Sequence, residues 1–195
     1  LKQALAEKTT LLQELYHRTK NNMHVIHSML ALRASYAQDE QLLTVLEDVQ
    51  DKIQAMALVH QKLYESRNLS SIDLKEYIDD LSAHLLKSYH VKPNRISLDL
   101  ETDRISVLID TAIPCGLILS ELIANALKHA FPVGGPRELC LSFCTDGDRS
   151  TLIVSDNWVG LPPDVGLDNT ESLGLQLVTM LTQQLGGTLE LDQSN

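Results

Sequence analysis

The N-terminal third of the chain has the apolar spacing of two long helices. Residues 1–36 contain no glycine or proline. The a and d positions of their heptad pattern form a seam that is apolar at its ends and polar in its middle, made of Leu5, Lys8, Leu12, Leu15, Thr19, Asn22, Ile26 and Met29. After a turn at residues 36–40, a second helix is predicted over about residues 40–66, with apolar residues again on one side. Two antiparallel helices cannot bury both of their faces alone, so this hairpin is expected to dimerise into a four-helix bundle.

Beyond residue 67 the pattern changes from purely helical to mixed. Alternation of apolar and polar residues predicts strands at residues 96–100, 139–143, 151–155 and 188–191. Helical spacing predicts further helices over residues 71–89, about 114–129 and 173–185. Ser71 is the candidate N-cap of the first of these helices, and Pro114 lies near the start of the second. The pattern predicts an α+β fold class, with an all-helical domain at residues 1–67 and an α/β sandwich at residues 70–195.

Composition narrows the choice of partners and compartment. The 195 residues carry a formal net charge of −10, which argues against nucleic acid and anionic membrane surfaces as partners. The odd set of Cys115, Cys140 and Cys144 contains no CxxC pair and is typical of free thiols in a reducing cytosol. No apolar run approaches the ~18 residues of a membrane span, so we predict a cytoplasmic protein without one. The abrupt helical start and the end in a predicted hairpin indicate a piece of a longer protein, one strand short at its C-terminus.

A cluster of polar residues surrounds one histidine of the first predicted helix. On the heptad register His17 falls at position f, facing away from the pairing seam, within the run Glu14-Leu-Tyr-His-Arg-Thr-Lys-Asn-Asn22. A neutral imidazole keeps one unprotonated nitrogen and is therefore a good phosphoryl acceptor. Arg18 and Lys20 can offset the charge of an incoming phosphoryl group, and Glu14 can fix the tautomer by accepting from a ring N–H. The alternative is an ordinary surface histidine. That description fits the other histidines of the two helices, His24, His27 and His60.

The predicted helix at about residues 114–129 has one polar face. Glu121, Asn125 and the pair Lys128 and His129 recur every three to four residues. Asn125 offers the hard oxygen that Mg²⁺ prefers. Lys128 and His129 can reach phosphate oxygens, and Glu121 can act as a base or orient water. The alternative is a partly polar surface helix without a ligand.

Two short stretches near the C-terminus suit a nucleotide. Asp156, at the end of a predicted strand, can accept from an adenine amino group, and Gly160 lets backbone approach the ring closely. The stretch Ser172-Leu-Gly-Leu-Gln-Leu177 opens a helix, where backbone N–H groups and the helix dipole favour phosphates. An Asp-Asn-x-x-Gly segment is also a common turn, so the order and spacing of the stretches carry the prediction. The chain contains neither GxxxxGKS/T nor GxGxxG, which excludes a P-loop and a Rossmann site.

Together these motifs resemble the catalytic core of the sensor histidine kinases of two-component systems, within the HisKA_2 subfamily close to the HWE kinases. The similarity begins with His-Arg-x-Lys-Asn-Asn at His17 and runs over nearly the whole chain, through segments at residues 57–64, 72–78, 110–118, 121–130 and 186–188. It implies a helical dimerisation and phosphotransfer domain followed by a Bergerat-type (GHKL) ATP-binding domain. It also implies an autokinase that uses ATP and Mg²⁺, forms a homodimer and passes its phosphoryl group to an aspartate of a response regulator. An upstream sensor domain would lie outside this chain.

The resemblance also implies roles for individual residues. His17 would be the phosphoacceptor. Glu121 keeps the catalytic role that the chemistry of its carboxylate suggests. The residues implied to contact metal ion and nucleotide are Asn125 for Mg²⁺, Lys128 and His129 for the phosphates, Asp156 for adenine, Gly160 and Gly174 for the pocket and its lid, and Thr188 near the base.

One residue departs from the family pattern. The family reads Asp-x-Gly-x-Gly where this chain reads Asp156-Asn-Trp-Val-Gly160, so Trp158 replaces a glycine. A tryptophan there costs backbone strain if φ must be positive, and it can fill the nucleotide pocket. Trp158 leads to one alternative to the autokinase, a phosphotransfer or docking module with ATP binding weakened by this residue. A separate alternative is a plain GHKL ATP-binding protein of the Ser-kinase kind, against which the surroundings of His17 and the long hairpin argue. Nucleotide affinity before and after Trp158→Gly distinguishes the docking module from the autokinase.

Overall fold

A computed structural model of the chain describes residues 2–65, 71–89, 96–129, 138–147, 149–157 and 173–192. In chain order its elements are α1 (Lys2–Ala34), α2 (Glu40–Glu65), β1 (Ser71–Asp73), α3 (Leu74–Ser88), β2 (Ser97–Thr102), β3 (Ser106–Leu108), α4 (Ile109–His129), β4 (Glu138–Asp146), β5 (Arg149–Asp156) and α5 (Leu173–Gln184). A helical hairpin therefore precedes a mixed α/β part, which confirms the predicted fold class.

The helices α1 and α2 pack side by side in opposite directions. Tyr16 lies against His60 and His17 against Tyr64, so the first half of α1 runs beside the end of α2. The hairpin leaves many large apolar side chains exposed, namely Leu11, Leu15, Val25, Ile26, Met29 and Leu32 on α1 and Leu42, Val45 and Val49 on α2. An apolar surface of this kind is expected of a hairpin that pairs with a second one.

The strands form two small sheets. In the three-stranded sheet the order is β2-β4-β5, with β2 parallel to β4 and β4 antiparallel to β5. In the two-stranded sheet β1 pairs antiparallel with β3. Gly147, in the turn between β4 and β5, has a φ of 59°, which suits a tight hairpin turn.

The largest core joins the second half of α2 to the α/β part. Ala55, Val59 and Leu63 of α2 have no exposed surface. They belong to one cluster with β1, α3, α4 and β4 residues that include Ile72, Leu74, Ile78, Leu81, Leu119, Ile123, Leu139 and Leu141. Full burial of a valine or leucine side chain is worth about 1.5–3 kcal/mol, so the second half of α2 is held firmly in place. On its other side α4 packs Ile118 against Val178 and Leu181 of α5.

Three details of the elements differ from the sequence predictions. Asp73, not Ser71, caps α3, because Asp73 Oδ1 accepts from the Glu76 N–H at 3.2 Å while Ser71 is paired with Leu108 in a sheet. Pro114 lies inside α4, since that helix begins directly after β3. Residues 188–192 pair with no strand in the described part of the chain, so the strand predicted at 188–191 is wrong there.

The helix α4 is long and apolar enough, by length and composition, to pass for a membrane span, although the sequence was expected to contain none. Most of this stretch, Ile109–Lys128, is buried within the fold, as is usual for the central helix of a core. Its polar residues Glu121 and Lys128 are paired with charges on α2, which identifies α4 as a core helix with one polar face.

Candidate active site

His17 lies on the exposed side of α1, close to the end of α2. Its ring centroid is 5.8 Å from that of Tyr64, and the two ring planes are inclined at 48°. Its Nδ1 lies 3.3 Å from the side-chain amide nitrogen Nδ2 of Asn21, one turn further along α1. The ring is thus reachable from solvent, as the heptad register predicts, while both helices of the hairpin restrict its orientation.

The carboxylate of Glu14 is held by Arg18. The Arg18 Nε donates to Glu14 Oε1 at 2.6 Å, and this hydrogen bond lowers the pKa of the Glu14 carboxyl below its usual value. The prediction that Glu14 fixes the tautomer of His17 is therefore wrong, because a cation at the i+4 position captures the carboxylate. Asn21 meets the ring nitrogen instead. The same helical spacing, four residues beyond His17, is the sequence signal that points to it.

The other histidines of the hairpin have different surroundings. His60 is half-buried against Tyr16, with ring centroids 6.0 Å apart, and burial lowers its pKa. His24 lines a shallow apolar groove with Val25 and Met29. Neither combines an exposed ring with an amide at the i+4 position in the way that His17 does, which agrees with the prediction that they are ordinary histidines.

The predicted polar face of α4 is turned toward α2. The Glu121 side chain is only 10% exposed and forms an ion pair with Lys52 of α2. Lys128 forms an ion pair with Asp48, one turn earlier on α2. Asn125, which lies between Glu121 and Lys128 in the sequence, is half-buried. The side chain of His129 is outside the described part of the structure. Two residues predicted to serve the nucleotide are thus engaged by α2, which sequence reasoning did not foresee.

A buried carboxylate lies beside these ion pairs. Asp51 of α2 is 7% exposed and accepts a hydrogen bond from Ser88 Oγ at 3.1 Å. Burial raises the pKa of Asp51, and it lowers the pKa of the neighbouring His84. The Tyr89 ring, whose pKa is raised by burial, stands 5.8 Å from the Nζ of Lys128. The junction of α2, α3 and α4 is therefore a cluster of interacting charged and polar groups.

The His17 ring and the polar face of α4 are separated along α2. His17 contacts Tyr64, whereas Glu121 contacts Lys52, twelve residues earlier. At about 1.5 Å of rise per residue, these two points on α2 lie about 18 Å apart along its axis. Transfer of a group between the two places within one chain requires a rearrangement, or else the partner in a dimer must supply the second place.

The remaining predicted nucleotide residues that the structure describes lie on β5, on α5 and in the segment after α5. Asp156 is the last residue of β5, where it is exposed and in register with Leu139 of β4. The next residue, Asn157, fixes this end of the strand, because its Oδ1 accepts from the Glu138 N–H at 3.0 Å. Gly174 is the second residue of α5, and Thr188 follows that helix in an exposed segment. Trp158 and Gly160 lie outside the described residues.

Two family models match consecutive parts of the chain. A histidine kinase family of the HisKA_2 type matches residues 14–89. The family of histidine kinase-, DNA gyrase B- and HSP90-like ATPases matches residues 110–195. The first match contains His17 and the second contains the polar face of α4, together with the end of β5.

Known proteins agree with these matches. The chain is 29% identical over 194 residues to the sensor histidine kinase PdtaS of Mycobacterium tuberculosis, covering 95% of this chain and 37% of the relative. It is 27% identical over 187 residues to blue-light-activated histidine kinase 2 of Erythrobacter litoralis, covering 92% and 52%. The solved histidine kinase domain of a blue-light activated kinase from Erythrobacter litoralis has the same fold, with a TM-score of 0.66 at 23% identity over 91% of this chain and 86% of that one. The chain thus spans about a third to a half of the length of these curated relatives. Because the two family models together account for most of its residues, the chain belongs to the histidine kinases, with a HisKA_2-type region followed by a GHKL ATPase-type region.

Proposed function

We propose that this chain is the catalytic core of an ATP-dependent histidine autokinase. Residues 1–67 form its phosphoacceptor and dimerisation domain, and residues 70–195 bind ATP. The observation that carries the proposal is the setting of His17, whose exposed ring has Nδ1 3.3 Å from the Asn21 amide and lies against Tyr64 within the matched kinase segment. An ordinary surface histidine has no need of an oriented ring.

The contact with Asn21 suits a nucleophilic imidazole. A carboxamide can offer Nδ1 either its N–H₂ group or its oxygen. The atom that lies 3.3 Å from Nδ1 is the amide nitrogen Nδ2. A 180° turn of the Asn21 carboxamide brings its oxygen to the same place, where it accepts from Nδ1–H and leaves the free lone pair on Nε2, the nitrogen remote from Asn21. That Nε2 attacks the γ-phosphorus of ATP, the bond from phosphorus to the bridging β–γ oxygen breaks, and ADP leaves with the bonding electrons. Asn21 is a positioning residue in this scheme because it acts through His17.

The nucleotide residues are proposed from the chemistry of α4 and of the segments around it. Lys128 and His129 approach the phosphates, and Glu121 acts as the base of the site. Asp156 accepts a hydrogen bond from the adenine amino group, and Thr188 lies near the adenine ring. Gly160 and Gly174 shape the nucleotide pocket and its lid. The half-buried Asn125 fits a bound Mg²⁺, since this ion keeps several waters and phosphate oxygens and needs few protein ligands. When bound, Mg²⁺ neutralises phosphate charge as the γ-phosphoryl group is transferred.

Partners follow from the same proposal. The exposed apolar side chains of α1 and α2 favour a homodimer through a four-helix bundle. The phosphoryl group of His17 passes to an aspartate on the receiver domain of a response regulator, which docks on the hairpin. A sensor domain outside this chain supplies the signal.

Phosphorylation of single-residue variants tests the proposal directly. The purified chain is incubated with γ-labelled ATP and Mg²⁺, beside His17→Gln and the matched variant His24→Gln from the same helix. Label that is acid-labile and base-stable is expected in the original chain and in His24→Gln, and it should be absent in His17→Gln. Label that persists in His17→Gln would assign the phosphoacceptor to another residue, and absence of label in every protein would favour the docking module.

A further inference from the structure

We propose that α2 autoinhibits the nucleotide site through a latch made of the ion pairs Asp48–Lys128 and Lys52–Glu121. In the latched state Asp48 is paired with Lys128, the cation proposed to bind nucleotide phosphate. Lys52 is likewise paired with the carboxylate of Glu121, the proposed base. The inference rests on the proposed function, because it takes Lys128 and Glu121 to be nucleotide-site residues. It adds a contact within the chain that must open before the site can work.

The charges of the latch match in only one arrangement of the helices. Along α2 the acidic residue precedes the basic one, and along α4 it does so too. The earlier residue of α2, Asp48, pairs with the later residue of α4, Lys128, so the two helices run in opposite directions at this contact. In a parallel arrangement like charges would meet. The contact is therefore specific for the docked position of α2.

Partial burial makes the latch more than a surface ion pair. The Glu121 and Lys52 side chains are 10% and 24% exposed, and those of Lys128 and Asp48 are 26% and 33% exposed. Charges in such positions are screened less by salt and are unfavourable when left without a partner. The Tyr89 ring, 5.8 Å from the Lys128 Nζ, adds a contact from α3 to the same cation. Lys128 is thus held by two helices at once.

A nucleotide competes with the latch for Lys128. The Asp48 carboxylate and a phosphate group are both anions that accept hydrogen bonds from an ammonium, so one replaces the other at the Nζ. Lys128 can change partner without disrupting the core, because the apolar contacts of α2 are made further along, at Ala55, Val59 and Leu63.

Titration of the chain with Mg-ATP, followed by calorimetry, tests the latch. Asp48→Asn and Asp48→Ser remove the competing charge while leaving every proposed nucleotide residue intact; the serine variant also shortens the side chain, so that it no longer reaches Lys128. The matched control is Glu47→Gln, the exposed neighbouring residue on the same helix. Both Asp48 variants are expected to bind Mg-ATP about fivefold more tightly than the original chain, with no change in the control. The initial rate of His17 labelling should rise in the same two variants.

The outcomes separate the latch from the function on which it rests. Equal Mg-ATP affinity in the original chain and both Asp48 variants would overturn the latch and leave the autokinase in place. Weaker binding in the Asp48 variants would overturn it too, because it would make Asp48 part of the binding site. Binding in the Asp48 variants alone would support the strongest form of the latch. Absence of binding in all of the proteins would overturn both the latch and the proposed ATP site.

Discussion

The hydroxyl of Tyr77 occupies the space that a side chain at Gly116 would need. A Cβ at Gly116 would stand 1.7 Å from Tyr77 Oη, and that hydroxyl donates to the Ala55 carbonyl at 3.2 Å. Tyr77 belongs to α3, Gly116 to α4 and Ala55 to α2. Because Gly116 has no side chain, one tyrosine connects α2, α3 and α4, and the latch joins two of these helices, α2 and α4.

Gly116→Ala should destabilise the fold through this contact. Tyr77 is fully buried within the main core cluster, so an added Cβ forces the core to shift and we expect a loss of about 1–3 kcal/mol in the free energy of unfolding. Urea denaturation measures the loss. Gly187→Ala is the matched control, since a Cβ there would meet its nearest neighbour at 3.4 Å, an ordinary contact distance. An unchanged unfolding midpoint in Gly116→Ala would show that Tyr77 is not fixed where the structure has it.

Asn21→Ala should slow labelling of His17 while leaving ATP affinity unchanged. Loss of the hydrogen bond to Nδ1 frees the imidazole to adopt either tautomer and other orientations. We expect a rate about tenfold lower, equivalent to about 1.4 kcal/mol, a typical worth for one hydrogen bond. Asn21→Asp keeps an accepting oxygen and should recover part of the rate. Asn22→Ala, at the next position on the exposed surface, serves as the control; an equal decrease there would remove the special role of Asn21.

The Lys52–Glu121 pair should show strong coupling in a double-mutant cycle. Lys52→Met leaves the Glu121 carboxylate buried without its cation, at an expected cost of about 2 kcal/mol, reduced from the fully buried case because Lys52 is partly exposed. Glu121→Gln in the same chain removes the stranded charge and should restore at least half of this loss. The free energies of unfolding of the four proteins, from urea titrations, provide the cycle. Simple additivity of the two single changes would contradict the pairing.

Asp51 should make stability depend on pH in the direction set by burial. Its pKa in the folded chain is raised above the ordinary value of 3.8, so the folded state binds the proton more tightly than the unfolded chain. The stability that Asp51 contributes is present below pH 3.8 and is lost as pH rises through the folded pKa. Asp51→Asn keeps an oxygen that accepts from Ser88 and should therefore stabilise the chain at neutral pH, with little gain below the ordinary pKa. Denaturation of both proteins across this range measures the difference, and an equal gain at every pH would exclude titration of Asp51 as its cause.

Trp158→Gly separates the autokinase from the docking module. If the chain binds ATP with Trp158 in place, restoring the glycine of the family pattern should alter Mg-ATP affinity by less than about threefold. A gain of about tenfold or more would mean that Trp158 obstructs the pocket and would favour the docking module. Tryptophan fluorescence adds a direct readout, because Trp158 is the only tryptophan of the chain and comes two residues after the predicted adenine residue Asp156 in the sequence. Val159→Ala controls for a change in the same segment.

Local periodicity was sufficient for most of the secondary structure and for the site histidine. Helical spacing predicts α1 and α2 close to their observed bounds, and alternation places β2, β4 and β5. The sequence also predicts the exposed position of His17 and the polar face of α4. It failed at Glu14, because Arg18 and His17 are both within reach of that carboxylate and spacing alone does not rank them.

The sequence by itself determined the helices, the strands of the three-stranded sheet and the polar face of α4, because these patterns depend on neighbours two to four positions away. The tertiary structure decided what those faces meet. Ser71 became part of a strand because Leu108 lies beside it, and Lys128 found its partner in Asp48, eighty residues earlier. Such pairings depend on how the apolar core positions whole helices against one another, and that position is set by the packing of many side chains together. Whether the polar face of α4 is open to a ligand or closed by α2 is for this reason a property of the folded chain.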